Sequence, residues 1–100
     1  MDHNVLLQQL GGNRFIAMTG AKDFVAYKSS LAFKLGGGAK NRINRVVIGL
    51  ADNDTYIMTF ERFSIRNMTR TSVVIDRREN VYADQLQAVF TDVTGFATKL

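Results

Sequence analysis

The apolar residues recur with a period of two between residues 14 and 75, and this pattern constrains the fold more than any other feature. A period of two places successive side chains on opposite faces of a β-strand. In residues 31–35, for example, Leu and Phe alternate with Ala32 and Lys34, which predicts one buried and one solvated face. The expected extended segments are residues 15–18, 24–27, 31–35, 46–50, 55–63 and 71–75. Turn residues between them predict hairpins and therefore an antiparallel sheet of about five strands.

Helical patterns flank this region at both ends of the chain. Residues 4–10 predict a short helix that begins at an Asp2 or Asn4 cap and ends at the glycine pair 11–12. Residues 83–94 predict an amphipathic helix, because apolar residues recur there at helical spacing. These residues are Leu86, Val89, Phe90 and Val93. The predicted fold class is α+β, with both helices packed on one face of the sheet and the opposite face open and basic.

The length of 100 residues predicts a single domain spanning residues 1–100. The chain contains no cysteine, which excludes thiolate chemistry, zinc–thiolate sites and a disulfide scaffold. No apolar run is long enough for a transmembrane helix, and residues 1–4 lack the basic start of a signal peptide. We therefore expect a soluble cytoplasmic protein that does not contact a membrane.

The net charge of +4 is distributed unevenly along the chain. Residues 13–45 carry a net charge of +6, residues 46–61 carry −3, and residues 62–78 carry +4. Two basic blocks separated by an acidic one can form a single basic face when two hairpins lie side by side. The alternative is an ordinary solvated surface rich in Lys and Arg.

The triple glycine at residues 36–38, followed by Lys40, is superficially similar to a phosphate-binding loop. Such a loop requires Ser or Thr after the lysine and a helix that opens there, whereas Asn41 follows here. A flexible tip that carries Lys40, Arg42 and Arg45 toward a phosphate backbone or an acidic partner is the better interpretation. A mobile loop with solubilising charges is the alternative.

Arginines recur every four residues at Arg62, Arg66 and Arg70. The residues between them are poor helix formers, so we expect a hairpin with arginines near a turn at residues 64–69. Tyr27 and Phe63 lie near these cations in sequence and are candidates for stacking on bases, although Phe63 can equally belong to the core. The predicted nucleic-acid or partner-binding residues are Lys40, Arg42, Arg45, Arg62, Arg66 and Arg70.

The sequence contains few residues suited to catalysis or metal binding. His3 is the only histidine and lies near a terminus that is expected to fray. The motif at residues 52–54 opens like a calcium loop but lacks the required glycine and distant glutamate, so it predicts a turn. The carboxylates of Glu61, Asp76 and Glu79 show no distinctive spacing and are best explained by surface ion pairs. We expect no enzymatic activity, no cofactor and no metal.

The segments at 10–22, 81–86 and 90–95 (LGGNRFIAMTGAK, VYADQL and FTDVTG) carry a resemblance to a known group of proteins. Across most of its length the chain resembles uncharacterised small proteins encoded by bacteriophages and integrated mobile elements. The resemblance implies a phage-type gene product made in a bacterial cytoplasm. It implies no settled activity and no catalytic residues.

Three functional hypotheses follow. The first is a non-enzymatic accessory protein that binds nucleic acid or a nucleoprotein complex electrostatically through the basic surface. The second is an anti-CRISPR-type inhibitor that binds a host defence complex stoichiometrically, with Asp84 and Asp92 on the acidic helix face as candidate contacts. The third is a virion structural or assembly protein that forms a homo-oligomer through its sheet edges.

Overall fold

A computed structural model describes residues 1–98, which fold into three α-helices and a five-stranded sheet. This confirms the predicted α+β class. The elements are α1 (His3–Leu10), α2 (Gly12–Thr19), β1 (Lys22–Ala26), β2 (Ser30–Lys34), a 3-10 turn (Lys40–Arg42), β3 (Arg45–Leu50), β4 (Tyr56–Arg66), β5 (Thr69–Val81), a second 3-10 turn (Ala83–Gln85) and α3 (Leu86–Thr94). Among the described residues, no helix has the length and apolar character needed to cross a membrane.

The sheet is an antiparallel meander with strand order β1-β2-β3-β4-β5. Each strand pairs with its neighbour in sequence, and only the connection between β2 and β3, residues 35–44, is long enough to contain a 3-10 turn. Strand β1 contains an irregularity after Lys22, where Asp23 adopts a φ of 55°. This bulge changes the register of β1 while leaving Lys22 paired with Lys34.

Helix α2 corrects one prediction, because residues 15–18 are helical rather than extended. The glycine pair does end α1, as predicted, but a new helix begins at Gly12 itself. Gly11 adopts a φ of 124°, which turns the chain between the two helices. Phe15 and Thr19, four residues apart, are both buried on one side of α2. A four-residue apolar run fits either period, so the pattern alone could not distinguish them.

The hydrophobic core lies between one face of the sheet and the three helices. Phe15 of α2 is fully buried at its centre, with its ring 5.6 Å from that of Phe33 on β2 and 5.0 Å from that of Phe90 on α3. Both contacts are edge-to-face, a favourable aromatic arrangement. Other buried members of the core are Leu6, Leu10, Val46, Ile48, Met58, Phe60, Val81 and Leu86. Packing of the terminal helices on one face is thus confirmed.

Strands β4 and β5 extend beyond the rest of the sheet as a two-stranded ribbon. The pairing of β3 with β4 ends at Arg45 and Glu61, whereas β4 continues to pair with β5 as far as Arg66 and Thr69. We call residues 62–73 the arm. Its turn contains only Asn67 and Met68, so the predicted turn at residues 64–69 was too wide. Both turn residues adopt positive φ, as in a type I′ hairpin, a geometry usually signalled by Asn-Gly.

Candidate nucleic-acid interface

A row of cations crosses the sheet on the face opposite the helices. Lys22 pairs with Lys34, and Lys34 pairs in turn with Arg45, so the three side chains lie on adjacent strands and point the same way. Like charges in such positions repel, and two carboxylates offset part of this repulsion. Asp23 lies 3.5 Å from the Lys34 ammonium, and Glu61 lies 3.3 Å from the Arg45 guanidinium.

The row borders two adjoining concavities that share Phe63 as part of their lining. The larger, of about 420 Å³, is also lined by Lys34, Arg45 and Arg70. The smaller, of about 270 Å³, adds Lys22. We call this surface the basic face and define it by Lys22, Lys34, Arg45, Arg70 and the half-buried Phe63. Phe63 therefore lies on the solvated side of the sheet, outside the core.

Asn44 fixes the place where the arm leaves the sheet. Its Oδ1 accepts a hydrogen bond from the Phe63 amide at 2.7 Å, and its Nδ2 donates to the Phe63 carbonyl at 2.8 Å. The Asn44 side chain thus makes the two bonds that another residue of β3 would otherwise make to β4. This contact positions Phe63, and through it the arm, relative to the cationic row.

The arm carries cations and no acidic side chain. Residues 62–75 contain Arg62, Arg66 and Arg70 but no acidic residue. Arg70 pairs with Ile65 and shares the basic face with Phe63. Arg66 pairs with Thr69, one position further along each strand, so it lies on the opposite side of the ribbon.

Met68 occupies the tip of the arm and is 97 % exposed. Its φ of 66° lies in the left-handed region, where a non-glycine residue costs roughly 1–2 kcal/mol. Asn67, with a φ of 53°, tolerates this region much better than Met does. The tip therefore holds a large apolar side chain in a strained conformation without any gain from burial.

The structure separates the six predicted binding residues into three groups. Arg45 and Arg70 lie together on the basic face, and Arg62 and Arg66 lie on the opposite side of the arm. Lys40 and Arg42 belong to the 3-10 turn near the end of α3. There, the Lys40 ammonium donates to the Asp92 carbonyl at 3.3 Å.

Two cations of the basic face, Lys22 and Lys34, were missed by the sequence reasoning. The available signal for Lys34 was its position among the solvated residues of an alternating strand. Lys22 carried no such signal, because the bulge at Asp23 interrupts the alternation of β1. Only strand register reveals that these lysines adjoin Arg45.

The first residue of the triple glycine, Gly36, packs against the end of α2. The Gly36 amide donates to the Thr19 carbonyl at 3.1 Å. A Cβ on Gly20 would lie 3.0 Å from the Gly36 Cα, so the two backbones approach very closely. The first glycine of the predicted flexible tip is therefore held against the end of α2.

A separate ion-pair cluster joins β5 to α3. Arg78 of β5 bridges Asp76 at 3.2 Å and Asp92 of α3 at 3.1 Å. Hydrogen bonds to these two carboxylates raise the pKa of Arg78 above its ordinary value, although burial opposes the rise. Burial raises the pKa of Tyr56, whose hydroxyl donates to Gln9 at 3.0 Å.

The single histidine joins the start of α1 to the turn between β1 and β2. His3 Nε2 lies 2.7 Å from the Tyr27 carbonyl oxygen and 3.0 Å from that of Ser30. Since carbonyl oxygens only accept hydrogen bonds, this geometry requires the proton on Nε2. Within residues 1–98, no group of three or more His, Cys, Asp or Glu side chains is arranged to hold a metal ion.

Comparisons of the chain with models of protein families, with curated proteins and with solved structures found no match. The basic face and the arm are the two surfaces on which cations cluster. These two surfaces adjoin at Arg70, which belongs to both. Together they place cations on one side and at one end of the sheet, with Asp23 and Glu61 paired to two of them.

Proposed function

We propose that this chain is a non-enzymatic phage or mobile-element accessory protein that binds nucleic acid, free or within a nucleoprotein, through the basic face and the arm. The observation that carries the proposal is the cross-strand row of Lys22, Lys34 and Arg45, which continues to Arg70 around Phe63. Clustered cations on one surface attract a phosphate backbone and release its counterions on binding.

The four cations differ in how freely they can reach a phosphate. Within the described part of the chain, Lys22 and Arg70 take part in no ion pair, so their charges are uncompensated. Lys34 is paired with Asp23 across solvent-exposed side chains, an interaction weak enough to be exchanged for a phosphate. Arg45 is held more firmly, because its partner Glu61 is only 16 % exposed. We therefore assign most of the attraction to Lys22 and Arg70.

Contacts of this kind hold the backbone without reading sequence. We expect affinity to fall steeply with salt and to vary little with base sequence. The test is fluorescence anisotropy with labelled duplex DNA, single-stranded DNA and RNA across a salt series. Each lost phosphate contact on duplex DNA reduces the slope of log K against log salt by about 0.9.

The double variant Lys22→Gln/Arg70→Gln removes two charges from the proposed surface. Its salt slope on duplex DNA should be smaller than that of the wild type by about 1.8. The matched control is Arg14→Gln/Lys28→Gln, which removes the same charge from α2 and from the turn between β1 and β2. Equal slopes for both variants would place the contacts elsewhere. Absence of binding to all three nucleic acids at low salt would refute the proposed function.

A second candidate function is stoichiometric inhibition of a host defence complex. The observation that favours it is a concavity of about 760 Å³ beside α1 and α3, lined by Asp84 and Asp92. Its lining mixes these two carboxylates with alanines and uncharged polar side chains, and it is separate from the basic face. The candidate predicts a stable equimolar complex with a purified defence complex, detected by size-exclusion chromatography. Asp84→Asn should weaken that complex and leave nucleic-acid affinity unchanged.

A further inference from the structure

The residue at the tip of the arm is not the one that favours folding of this turn. A two-residue hairpin in this geometry favours glycine at its second position, yet the chain places Met68 there at a φ of 66°. The side chain is 97 % exposed and gains nothing from the core. Local strain without a folding benefit is characteristic of functional positions.

The two arginines nearest the tip lie on opposite faces of the ribbon. Arg70 shares the face of Ile65, whereas Arg66 shares the face of Thr69. A ribbon that enters a groove tip first therefore presents one guanidinium to each wall. In duplex DNA those walls are the two phosphodiester backbones, and arginine is well suited to bind their phosphates.

The arm is long enough for this approach. Five residues of β4 extend past Glu61, where pairing with β3 ends, and span about 17 Å at 3.3 Å per residue. The minor groove is only about 7.5 Å deep. Its width of about 6 Å suits a narrow tip better than the flat side of a ribbon.

We infer that the arm enters the minor groove of duplex DNA and inserts Met68 between neighbouring base pairs, with Arg66 and Arg70 on the two backbones. The inference rests on the proposed function and names its substrate as duplex DNA. Apolar wedges of this kind unstack a base step and kink the duplex by roughly 20–90°. The protein should therefore bend the DNA that it binds.

The test combines affinity with bending, using a short duplex that carries a fluorescence donor and acceptor at its ends. Wild-type protein should raise energy transfer on binding. Met68→Gly should remove the rise and weaken binding roughly tenfold, because the apolar contact is lost. Its salt slope should stay unchanged, since no charge is removed. Met68→Leu keeps an apolar wedge and should retain both bending and affinity.

Met68→Gly relieves the backbone strain, so its melting temperature should equal or exceed that of the wild type. Loss of folding therefore cannot explain a loss of bending. A duplex with a central mismatch is easier to unstack, so the wild-type protein should bind it more tightly than it binds the matched duplex. Met68→Gly should discriminate less between the two duplexes. Binding without bending, or bending that survives in Met68→Gly, would overturn the inference and leave the proposed function intact. Binding to no nucleic acid would overturn both.

Discussion

Removal of the Asn44 side chain should destabilise the fold by weakening the attachment of the arm to the sheet. Asn44→Ala deletes two hydrogen bonds to Phe63, at 2.7 and 2.8 Å. Each is worth about 1 kcal/mol net, and the half-buried Phe63 amide would lose its protein partner, so the expected loss is about 2 kcal/mol. For a domain of this size, that loss lowers the melting temperature by roughly 8–16 °C.

Amide hydrogen exchange locates the effect, because the Phe63 N–H is itself the donor to Asn44. Exchange at Phe63 should accelerate by about 30-fold, the equivalent of 2 kcal/mol, if local opening controls it. The amide of the fully buried Phe60 exchanges through global unfolding and should accelerate by the same factor, whereas amides that open without breaking the Asn44–Phe63 contact should not change.

Two further variants test the role of the Asn44 side chain. Asn44→Asp keeps an acceptor for the Phe63 amide but sets a carboxylate oxygen against the Phe63 carbonyl, so it should destabilise the protein while preserving part of the amide protection. Asn13→Ala changes an exposed asparagine in α2 and should alter stability by less than about 0.5 kcal/mol. Unchanged exchange of the Phe63 amide in Asn44→Ala would show that the hydrogen bonds from Asn44 do not hold the arm.

Two other predictions concern packing and pH. Gly20→Ala should destabilise the fold by at least about 1–2 kcal/mol, because its φ of 69° is left-handed and its Cβ would lie 3.0 Å from Gly36. The control is Gly37→Ala, whose Cβ would meet no heavy atom of the described residues within 4 Å. In thermal melts this control should be nearly neutral. The pKa of Tyr56 is raised by burial, so the folded state favours the neutral phenol, and stability present below pH 10 is lost as pH rises through the folded pKa. Tyr56→Phe should reduce the decline in the free energy of unfolding between pH 8 and 11, measured by urea unfolding. Tyr82→Phe, at an exposed site, should not reduce it. An equal effect of the two variants would show that burial of Tyr56 is not the cause.

Much of the fold could be predicted because its signals are local. The Asp2 cap is one example: its Oδ1 accepts hydrogen bonds from the amides of Asn4 and Val5. A cap and its helix lie within a few residues, so the sequence displays both together. The error at residues 15–18 arose where the apolar run was too short to reveal its period, and the contact of Phe15 with Phe90 decided the outcome.

The candidate site was only partly predictable. Arg45 and Arg70 were named from their positions in basic segments, and both line the same concavity. Lys40 was grouped with them because it is close in sequence, yet its side chain packs against Gly95 at the end of α3. Proximity along the chain does not determine which face of a sheet a residue occupies. Here the 3-10 turn places Lys40 beside α3, whereas Arg45 lies on the basic face.

Local sequence patterns were sufficient to predict the α+β class, the antiparallel pairing of successive strands and a helix near each end of the chain. These properties depend on periodicity and on residues within one or two turns of each other. Only the pairing of strands that are distant in sequence places Lys22, Lys34 and Arg45 in one row and makes the arm project past β3. Register is set by long-range pairing and by the bulge at Asp23, and a shift of one residue would move every cation to the other face.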